Sequence, residues 1–334
     1  MRPTIRPFKP DDYPAVVAVH NVAMPGEPTT VERMRDRDEH RHPQVKCGRW
    51  IAEREGRIVG VGEYTQSIDL YHPQKFQLIL YVHPNYRRQG IGSALYDHLT
   101  RELEGFHPIG YQARTPEDNT AGLRFLQVRG FGEDFRQWES HLDVALFDLN
   151  AWMGCLQKVE MQGIKIKTLA ALRGERDWER RLFELDREIE ADVPSPPSIS
   201  PLEEDSELQL HRYVEGVLAN PDYPPEAYFV AIREGEYIGL SYSEANPDAG
   251  TLDIVITGVK RAYRGRGIAT ALKLRGIAYA QRQGYTTIRT WNDTVNRPIL
   301  ALNDKLGYVR QPALIFFERE LGRAKEGIPT APSY

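Results

Sequence analysis

The 334-residue sequence predicts an α/β protein with two tandem domains. The first observation is an internal repeat, because the phrase at positions 82–92 recurs at 259–269. The second is its context, since each copy follows a strand-like run and opens a segment whose apolar residues have helical spacing. The third is the chain length, which is sufficient for two domains with a hydrophobic core each.

The first predicted domain, 1-150, opens with an edge strand at 4–8 and a helix over 16–23 that Asp11 and Asp12 cap. A hairpin follows, because Glu55-Gly56 separates two strand-like runs. The remaining elements are the strand of the phrase, helix 91–104, strand 109–114, helix 119–128 and long strands over 131–144.

The second predicted domain, 163-325, has the same order of elements, and Glu234-Gly235-Glu236 is the counterpart of the first hairpin turn. Its other elements are strand 164–166, helix 177–191, strand 251–259, helix 267–283, strand 285–291, helix 296–305 and strand 312–320. The segment 149–162 is predicted to join the domains, and 328–334 is predicted to be a frayed tail.

The small residues of each phrase predict an anion-binding loop. Gly90 with Gly92, and Gly267 with Ala269, let backbone N–H groups converge without a Cβ between them. These amides lie at the positive end of the following helix, and arginines surround them, which favours a phosphate or pyrophosphate. A tight turn without a ligand is the alternative for either copy alone, and the duplication disfavours it.

Both phrases resemble the acetyl-CoA signature of the GNAT superfamily of N-acetyltransferases, which is Arg-x-x-Gly-x-Gly/Ala after a strand that ends in valine. The matching residues are Arg87, Gly90 and Gly92 after Val82, and Arg264, Gly267 and Ala269 after Val259. A second shared element is an asparagine that precedes a helix ending in Gly-aromatic, as in Gly130-Phe131 and Gly307-Tyr308. The resemblance covers nearly the whole chain as two tandem GNAT-like domains, similar to mycothiol synthase-like proteins.

The resemblance implies a mixed, mostly antiparallel sheet flanked by helices in each domain. It implies that the loops bind the pyrophosphate of acetyl-CoA, or of another acyl-CoA, and that a bulged strand binds the pantetheine arm. The residues that it assigns to this cofactor in the first domain are Tyr81, Val82, Arg87, Arg88, Gln89, Gly90, Ile91, Gly92, Ser93 and Asn119. Those in the second are Thr257, Gly258, Val259, Arg264, Gly265, Arg266, Gly267, Ile268, Ala269, Thr270, Asn292 and Asn296.

The implied reaction is transfer of an acetyl group to a primary amine of a small molecule. Some GNAT enzymes carry a glutamate base six residues before the signature valine, where this sequence has Asp253 in the second domain and Phe76 in the first. Glu244 and Glu63, on the preceding strands, are further candidates. An exposed strand residue without a catalytic role is an equal alternative for Asp253, whose side chain is one methylene shorter than glutamate.

The general acid is missing from both domains. Many GNAT enzymes place a tyrosine four residues before the glycine of the Gly-aromatic pair, where it protonates the leaving thiolate. Leu126 and Asn303 stand there, and an asparagine donates a hydrogen bond but no proton. The polar residues concentrate in the second domain, so we expect catalysis there, with Asp253, Asn303 and Glu244 as its candidates. The alternative is a non-catalytic acyl-CoA sensor or scaffold.

The composition narrows the remaining classes of function and cellular location. A net charge of −4 argues against bulk nucleic-acid binding, and no apolar run is long enough for a membrane span or a secretory signal. Two cysteines, Cys47 and Cys155, suit a reducing cytoplasm. The charged cluster at 38–42 is interpreted as a solvated helix end rather than a metal site. The acidic, proline-rich stretch 188–207 is either a disordered loop or a rim that favours a cationic acceptor.

Overall fold

The computed structural model describes residues 3–66, 71–193 and 205–322. The strands are β1 (Thr4–Pro7), β2 (Gly48–Arg54), β3 (Arg57–Thr65), β4 (Lys75–Val82), β5 (Gly110–Pro116), β6 (Gly132–Asp143), β7 (Ile164–Thr168), β8 (Phe229–Arg233), β9 (Glu236–Asn246), β10 (Thr251–Val259), β11 (Thr287–Asp293), β12 (Val309–Arg310) and β13 (Leu314–Glu320). The helices are α1 (Tyr13–Ala23), α2 (Val31–Glu39), α3 (Ile91–Leu103), α4 (Thr120–Gln127), α5 (Met153–Glu160), α6 (Leu169–Leu172), α7 (Trp178–Glu190), α8 (Ser206–Tyr213), α9 (Ile268–Gln283) and α10 (Arg297–Leu306).

The described residues fall into two compact units. The first unit contains 3–66, 71–134 and 315–322, and the second contains 135–193 and 205–314. Most of β6 therefore belongs to the second unit, and β13 from Ile315 onward belongs to the first. The predicted ranges 1-150 and 163-325 describe the repeat in the sequence, whereas the compact units exchange the last strand of each repeat.

The sheet of the first unit has the order β1-β2-β3-β4-β5-β13. Neighbours from β1 to β4 are antiparallel, and β4 and β5 are parallel. Helices α1 and α2 cover one face with a core around Val16 and Ile51, and α3 covers the other with Leu95 and Leu99. β4 pairs with β5 only from Lys75 to Gln77, so the two strands separate before β4 ends.

The sheet of the second unit has the order β6-β11-β10-β9-β8-β7, and β12 also pairs with β6. Among the described strand pairs of this sheet only β10 and β11 are parallel, and they pair from Thr251 to Ile254 before they separate. Helix α7 packs on one face through Leu182 and Ile189, and α9 packs on the other through Leu272. The predicted mixed, mostly antiparallel sheet with flanking helices is confirmed.

Strand β10 carries a bulge that β4 does not have. Its pairing with β9 shifts by one residue between Ile254 and Ile256, which leaves Val255 unpaired and 48% exposed. Strand β4 pairs with β3 from Gln77 to Val82 without interruption. The bulge implied for both domains is therefore found in the second unit alone.

The bulge changes which residues are equivalent in the two units. Asp253 lies between Glu244 and Arg289. In the first unit, Gln77 takes this position, between Thr65 of β3 and Gln112 of β5. Counting from the valine placed Phe76 there, and this was wrong because the bulge adds one residue to β10.

The hairpin turns have the backbone that the sequence predicted. Glu55 and Gly56 have φ angles of 52° and 72°, and Glu234 and Gly235 have 51° and 83°, as two-residue hairpins require. The predicted join at 149–162 contains α5, whose Val159 is buried in the core of the second unit. Most of the acidic stretch (194–204) and the predicted tail lie outside the described residues.

Candidate active site

The two predicted anion loops have the same backbone. Gly90 and Gly267 are the N-caps of α3 and α9, with φ angles of 80° and 82°, which glycine adopts most readily. The first backbone donors that bond within these helices are Ala94 and Ala271. The N–H groups before them have no partner within the helix, so each loop offers donors to an anion.

The signature arginines hold the loops to neighbouring elements. Arg87 Nε donates to the carbonyl of Val82 at 3.1 Å, and Arg264 Nε donates to that of Val259 at 2.9 Å. Arg87 Nη2 also donates to the carbonyl of Ala23, the last residue of α1, at 3.2 Å. Arg264 instead forms an ion pair with Asp192, just after α7. Both side chains therefore tie the loop to the end of the strand and to the first long helix of its unit.

Two other side chains at the first loop, those of Gln89 and Ser93, have protein partners. Gln89 accepts from Arg54 and donates to the carbonyl of Asn85 at 3.3 Å. Ser93 Oγ accepts from Arg129 at 2.8 Å. Arg88 has a φ of 62°, in the left-handed region that Gly265 occupies in the second loop with 76°. Cofactor binding here would use backbone donors more than these side chains.

Several predicted cofactor residues turn their side chains inward. Ile91 and Ile268 are buried, and Thr257 Oγ1 lies 2.8 Å from Ser241 Oγ. Tyr81 packs under α1, with its ring 5.2 Å from His20, and burial raises the pKa of its hydroxyl well above the usual range. In contrast, Ala269 and Thr270 lie in the first turn of α9, beside the loop.

Gly258 marks a close contact between α7 and β10. A Cβ at this position would lie 2.0 Å from Cγ2 of Ile189, so only glycine fits without displacing the helix. Gly258 pairs with Leu240, and the residue in the same register of the first unit is Tyr81, paired with Val61. The helix therefore lies directly on the strand backbone in the second unit, where a tyrosine ring intervenes in the first.

The predicted asparagines comprise two residues at helix N-caps and one hydrogen-bonded pair. Asn119 caps α4, since its Oδ1 accepts from the Gly122 N–H at 3.1 Å. Asn296 is at the N-cap of α10 without a capping hydrogen bond from its side chain. Asn303 is only 1% exposed and donates to Asn292 Oδ1 at 2.7 Å, while its own Oδ1 is buried without a partner among the described residues.

The structure brings Asp253 and Glu244 together on the face of the sheet that α7 covers. Arg289 Nε donates to Asp253 Oδ1 at 2.7 Å, and a second guanidinium nitrogen donates to Oδ2. Burial lowers the pKa of Arg289, but the Asp253 hydrogen bond and the charges of Glu139 and Glu244 give a net increase. Both oxygens of Asp253 are thus engaged by one cation.

Two residues beside this pair were missed from the sequence. His141 of β6 lies opposite Arg289, Glu139 lies opposite Trp291, and His141 Nε2 is 2.7 Å from Glu139 Oε1. Their spacing of two along a strand places them on one face, which is a signal visible in the sequence. Their membership in the second unit is not, because β6 is the last strand of the first repeat in the chain.

The matching face of the first unit is closed by ion pairs. Glu63, a predicted candidate, accepts from Arg41 at 3.2 Å and from Arg49 at 2.8 Å. Asp38 accepts from the same two arginines and from Tyr13. Burial raises the pKa of Asp38, and the Arg49 hydrogen bond helps to give a net decrease. The interpretation of 38–42 as a solvated helix end was wrong for Asp38, because the helix faces these arginines, and for His42, which is buried.

No group of three or more His, Cys, Asp or Glu residues in the described part of the chain could hold a metal ion. No helix within the same residues is long and apolar enough to cross a membrane.

Solved structures share this fold along the chain. A tandem GNAT protein from the clavulanic acid biosynthesis pathway matches with a TM-score of 0.72 and 17% identity, covering 96% of this chain and 99% of its own. A GCN5-related N-acetyltransferase from Sphaerobacter thermophilus matches with a TM-score of 0.69 and 19% identity, covering 96% of both chains. At these identities the likeness concerns the fold alone.

Sequence comparisons identify the family. A mycothiol acetyltransferase from Paenarthrobacter aurescens (strain TC1) is 25% identical over 70% of this chain and 67% of its own length. One from Streptomyces coelicolor (strain ATCC BAA-471 / A3(2) / M145) is 22% identical over 79% of this chain and 77% of its own. The family model described as acetyltransferase (GNAT) matches residues 15–131 and 187–308, one match for each loop. The chain therefore belongs to the GNAT family of acetyltransferases, as a tandem member.

Proposed function

We propose that this acyltransferase moves the acetyl group of acetyl-CoA, or a related acyl-CoA, to a primary amine of a small molecule, and that the second unit performs the reaction. The observation that carries this proposal is the bulge at Val255, after which β10 separates from β11. A bulge leaves backbone groups unpaired, so the strand keeps donors and acceptors for a ligand in the opening. The uninterrupted β4 lacks this feature.

The residues present fit the acyl-CoA. The amides from Gly265 to Thr270 would hold its pyrophosphate at the start of α9, and the backbone of Thr257 and Val259 would line its arm. Asn303 has a buried oxygen without a partner among the described residues, on the helix that follows β11. When bound, the acyl-CoA supplies a thioester carbonyl carbon for attack by the amine.

The charges beside the opening favour a cationic acceptor. Asp253, Glu244 and Glu139 surround the single guanidinium of Arg289, which leaves an excess of negative charge on this face. The mycothiol acetyltransferases among the relatives support a small-molecule acceptor. The free cysteines Cys47 and Cys155 support our further proposal of a reducing, cytoplasmic location.

The second candidate function is an acyl-CoA sensor or scaffold without turnover. It is favoured by the two hydrogen bonds that hold Asp253 to Arg289, since a carboxylate engaged in this way is a poor proton acceptor. The absence of a tyrosine at Leu126 and Asn303 points in the same direction. For the first unit alone, we propose cofactor binding without chemistry, because its Glu63 is held by two arginines.

Matched substitutions in the two loops test the proposal. We would measure thiol release from acetyl-CoA with a panel of small amines for the wild type, Gly267→Glu and Gly90→Glu. A carboxylate at the N-cap would repel the pyrophosphate, and its Cβ would strain a backbone with positive φ. We expect Gly267→Glu to lower kcat/KM by at least about 100-fold and Gly90→Glu to leave turnover near wild type.

Two results would contradict this assignment. Loss of turnover in Gly90→Glu alone would place the reaction in the first unit. Acetyl-CoA binding by the wild type without thiol release for any amine of the panel would favour the sensor. Calorimetric titration with acetyl-CoA and circular dichroism of each variant separate lost binding from lost folding.

A further inference from the structure

We propose that His141, oriented by Glu139, accepts the proton of the acceptor amine in the second unit. This inference rests on the proposed acetyl transfer there. It assigns the proton-accepting role to the last strand of the first repeat, which belongs to the second unit in the fold. Neither residue lies in the second predicted domain.

The strand register places His141 on the same face as the predicted candidates. Four residues form a row across the sheet. Asp253 of β10 lies opposite Glu244 of β9 on one side and opposite Arg289 of β11 on the other, and Arg289 in turn lies opposite His141 of β6. Residues directly opposite each other on neighbouring strands project from the same face. Two strand spacings separate His141 from Asp253, which corresponds to about 10 Å between their backbones.

The Glu139 and His141 pair borders the opening between β10 and β11. The last paired residues of these strands are Ile254 and Thr290, so Trp291 is the first residue of β11 beyond their pairing. Glu139 lies opposite Trp291 and accepts hydrogen bonds from Trp291 and His141. The His141 side chain is 33% exposed, so an acceptor molecule can reach the ring.

The hydrogen bond fixes which nitrogen accepts the proton. Burial raises the pKa of Glu139, but its hydrogen bond with His141 and the charge of Arg289 give a net decrease. An ionised carboxylate only accepts hydrogen bonds, so Nε2 of His141 carries the hydrogen that it donates. The lone pair of the neutral ring is then on Nδ1, as in other carboxylate-oriented histidines.

The neighbours of His141 on its own strand and on the paired strands β11 and β12 include three charged groups. Arg289 faces it from β11, and Val309 faces it from β12. On its own strand, Glu139 lies on one side, and Asp143 on the other accepts from the Ala145 N–H at 3.0 Å. Asp253 contrasts with His141, because Arg289 engages both of its carboxylate oxygens.

The proposed step balances without a further reactant. The amine nitrogen forms a bond to the thioester carbonyl carbon, and the bond from that carbon to sulfur breaks. The bonding pair leaves on the sulfur as a thiolate, and a proton moves from the nitrogen to Nδ1 of His141. The imidazolium then returns this proton to solvent, which restores the neutral ring.

The test compares His141→Ala, His141→Asn and Glu139→Gln in the full chain, with His211→Asn as the matched control. His211 also pairs with a glutamate, Glu215, but lies on the exposed surface of α8. We would measure acetyl-CoA affinity, thermal unfolding and the pH dependence of kcat/KM with an amine that the wild type acetylates. Imidazole would be added to His141→Ala as a replacement base.

Removal of the imidazole should lower kcat by about 10²–10⁴-fold and abolish the acidic limb of the pH profile, with unchanged acetyl-CoA affinity. Imidazole should restore part of this activity. Glu139→Gln should lower kcat by about 10–100-fold, because the ring loses its carboxylate partner. His211→Asn should match the wild type.

Two outcomes would overturn the inference while leaving acetyl transfer intact. The first is a His141→Asn variant with wild-type kcat and an unchanged acidic limb. The second is a folded His141→Ala variant that loses activity and gains none with imidazole. If the wild type itself releases no thiol while binding acetyl-CoA, the proposed function fails, and the assignment of His141 fails with it.

Discussion

The two units share their glycine loops and differ in the strands that lead to them. Gly90 and Gly267 cap their helices with nearly the same φ, and both signature arginines bond to the carbonyl that ends the strand. Strand β4 is continuous, whereas β10 is interrupted at Val255. The comparison shows that the glycine loop and the bulge in the strand before it are separable features of the repeat.

The charged sheet faces of the two units also differ. In the first unit, two arginines and two carboxylates neutralise one another, and Glu63 is only 6% exposed. In the second, one arginine faces three carboxylates, and the side chains of Arg289 and Asp253 are both 16% exposed. The first arrangement stabilises a closed surface, and the second leaves charge available for a ligand.

The largest expected effect on stability concerns the last strand of each repeat, which packs in the core of the other unit. Leu142 of β6 is buried in the core of the second unit, and Ile315 of β13 is buried in the core of the first. We expect Leu142→Ala and Ile315→Ala each to lower the free energy of unfolding by about 2–5 kcal/mol, because each leaves a cavity. Hydrogen exchange read by mass spectrometry should show faster exchange in the second unit for Leu142→Ala and in the first for Ile315→Ala.

The two variants control for each other, since both remove a buried aliphatic side chain from a terminal strand of a repeat. Faster exchange in α3 and β4 after Leu142→Ala, with α9 and β10 unchanged, would show that the strands are not exchanged. Denaturant titration of both proteins gives the size of the effect.

A buried lysine distinguishes the second core from the first. Lys273 of α9 is 1% exposed, its Nζ has no hydrogen-bond partner among the described residues, and it lies 4.9 Å from the Tyr308 ring. Tyr96 follows the first loop at the same spacing, and its hydroxyl accepts from Arg319 at 2.6 Å. We expect Lys273→Met to raise the free energy of unfolding by about 1–3 kcal/mol at pH 7.

The pH dependence provides a second check on Lys273. Burial lowers its pKa to about 7, whereas an unfolded lysine keeps a pKa near 10.5. The unfolded chain therefore binds more protons between these values, and wild-type stability should gain a contribution as pH rises through this window. Chemical denaturation at several pH values should show this contribution for the wild type and for Lys158→Met, whose side chain is exposed, but not for Lys273→Met.

The smallest expected effect concerns the partner of the second loop. Asp192 pairs with Arg261 and Arg264, whereas Arg87 of the first loop bonds to a backbone carbonyl. Asp192→Asn removes a negative charge that competes with phosphate, so we expect roughly two- to fivefold tighter binding of CoA. Calorimetry at two salt concentrations should show the gain shrinking as ionic strength rises, and weaker binding would contradict the competition.

Local patterns accounted for most of the fold. The repeat located both loops, and the two predicted hairpins form, with left-handed backbone at Glu55-Gly56 and Glu234-Gly235. Residue counting failed at Phe76, because a bulge changes strand register without leaving a sequence signal in a run of apolar residues. His141 and Glu139 were also missed, because the alternating pattern of a strand does not indicate which sheet the strand will join.

The sequence by itself determined the duplication, the two glycine N-caps and the family resemblance, because these depend on residues close together in the chain. Only the tertiary structure decided that Arg289 engages Asp253 and that β6 brings His141 to the same face. Strand partners and ion pairs are selected by packing between distant segments, whose energies depend on the whole folded core. The loops could therefore be located from the sequence, whereas the surroundings of the proposed reaction required the fold.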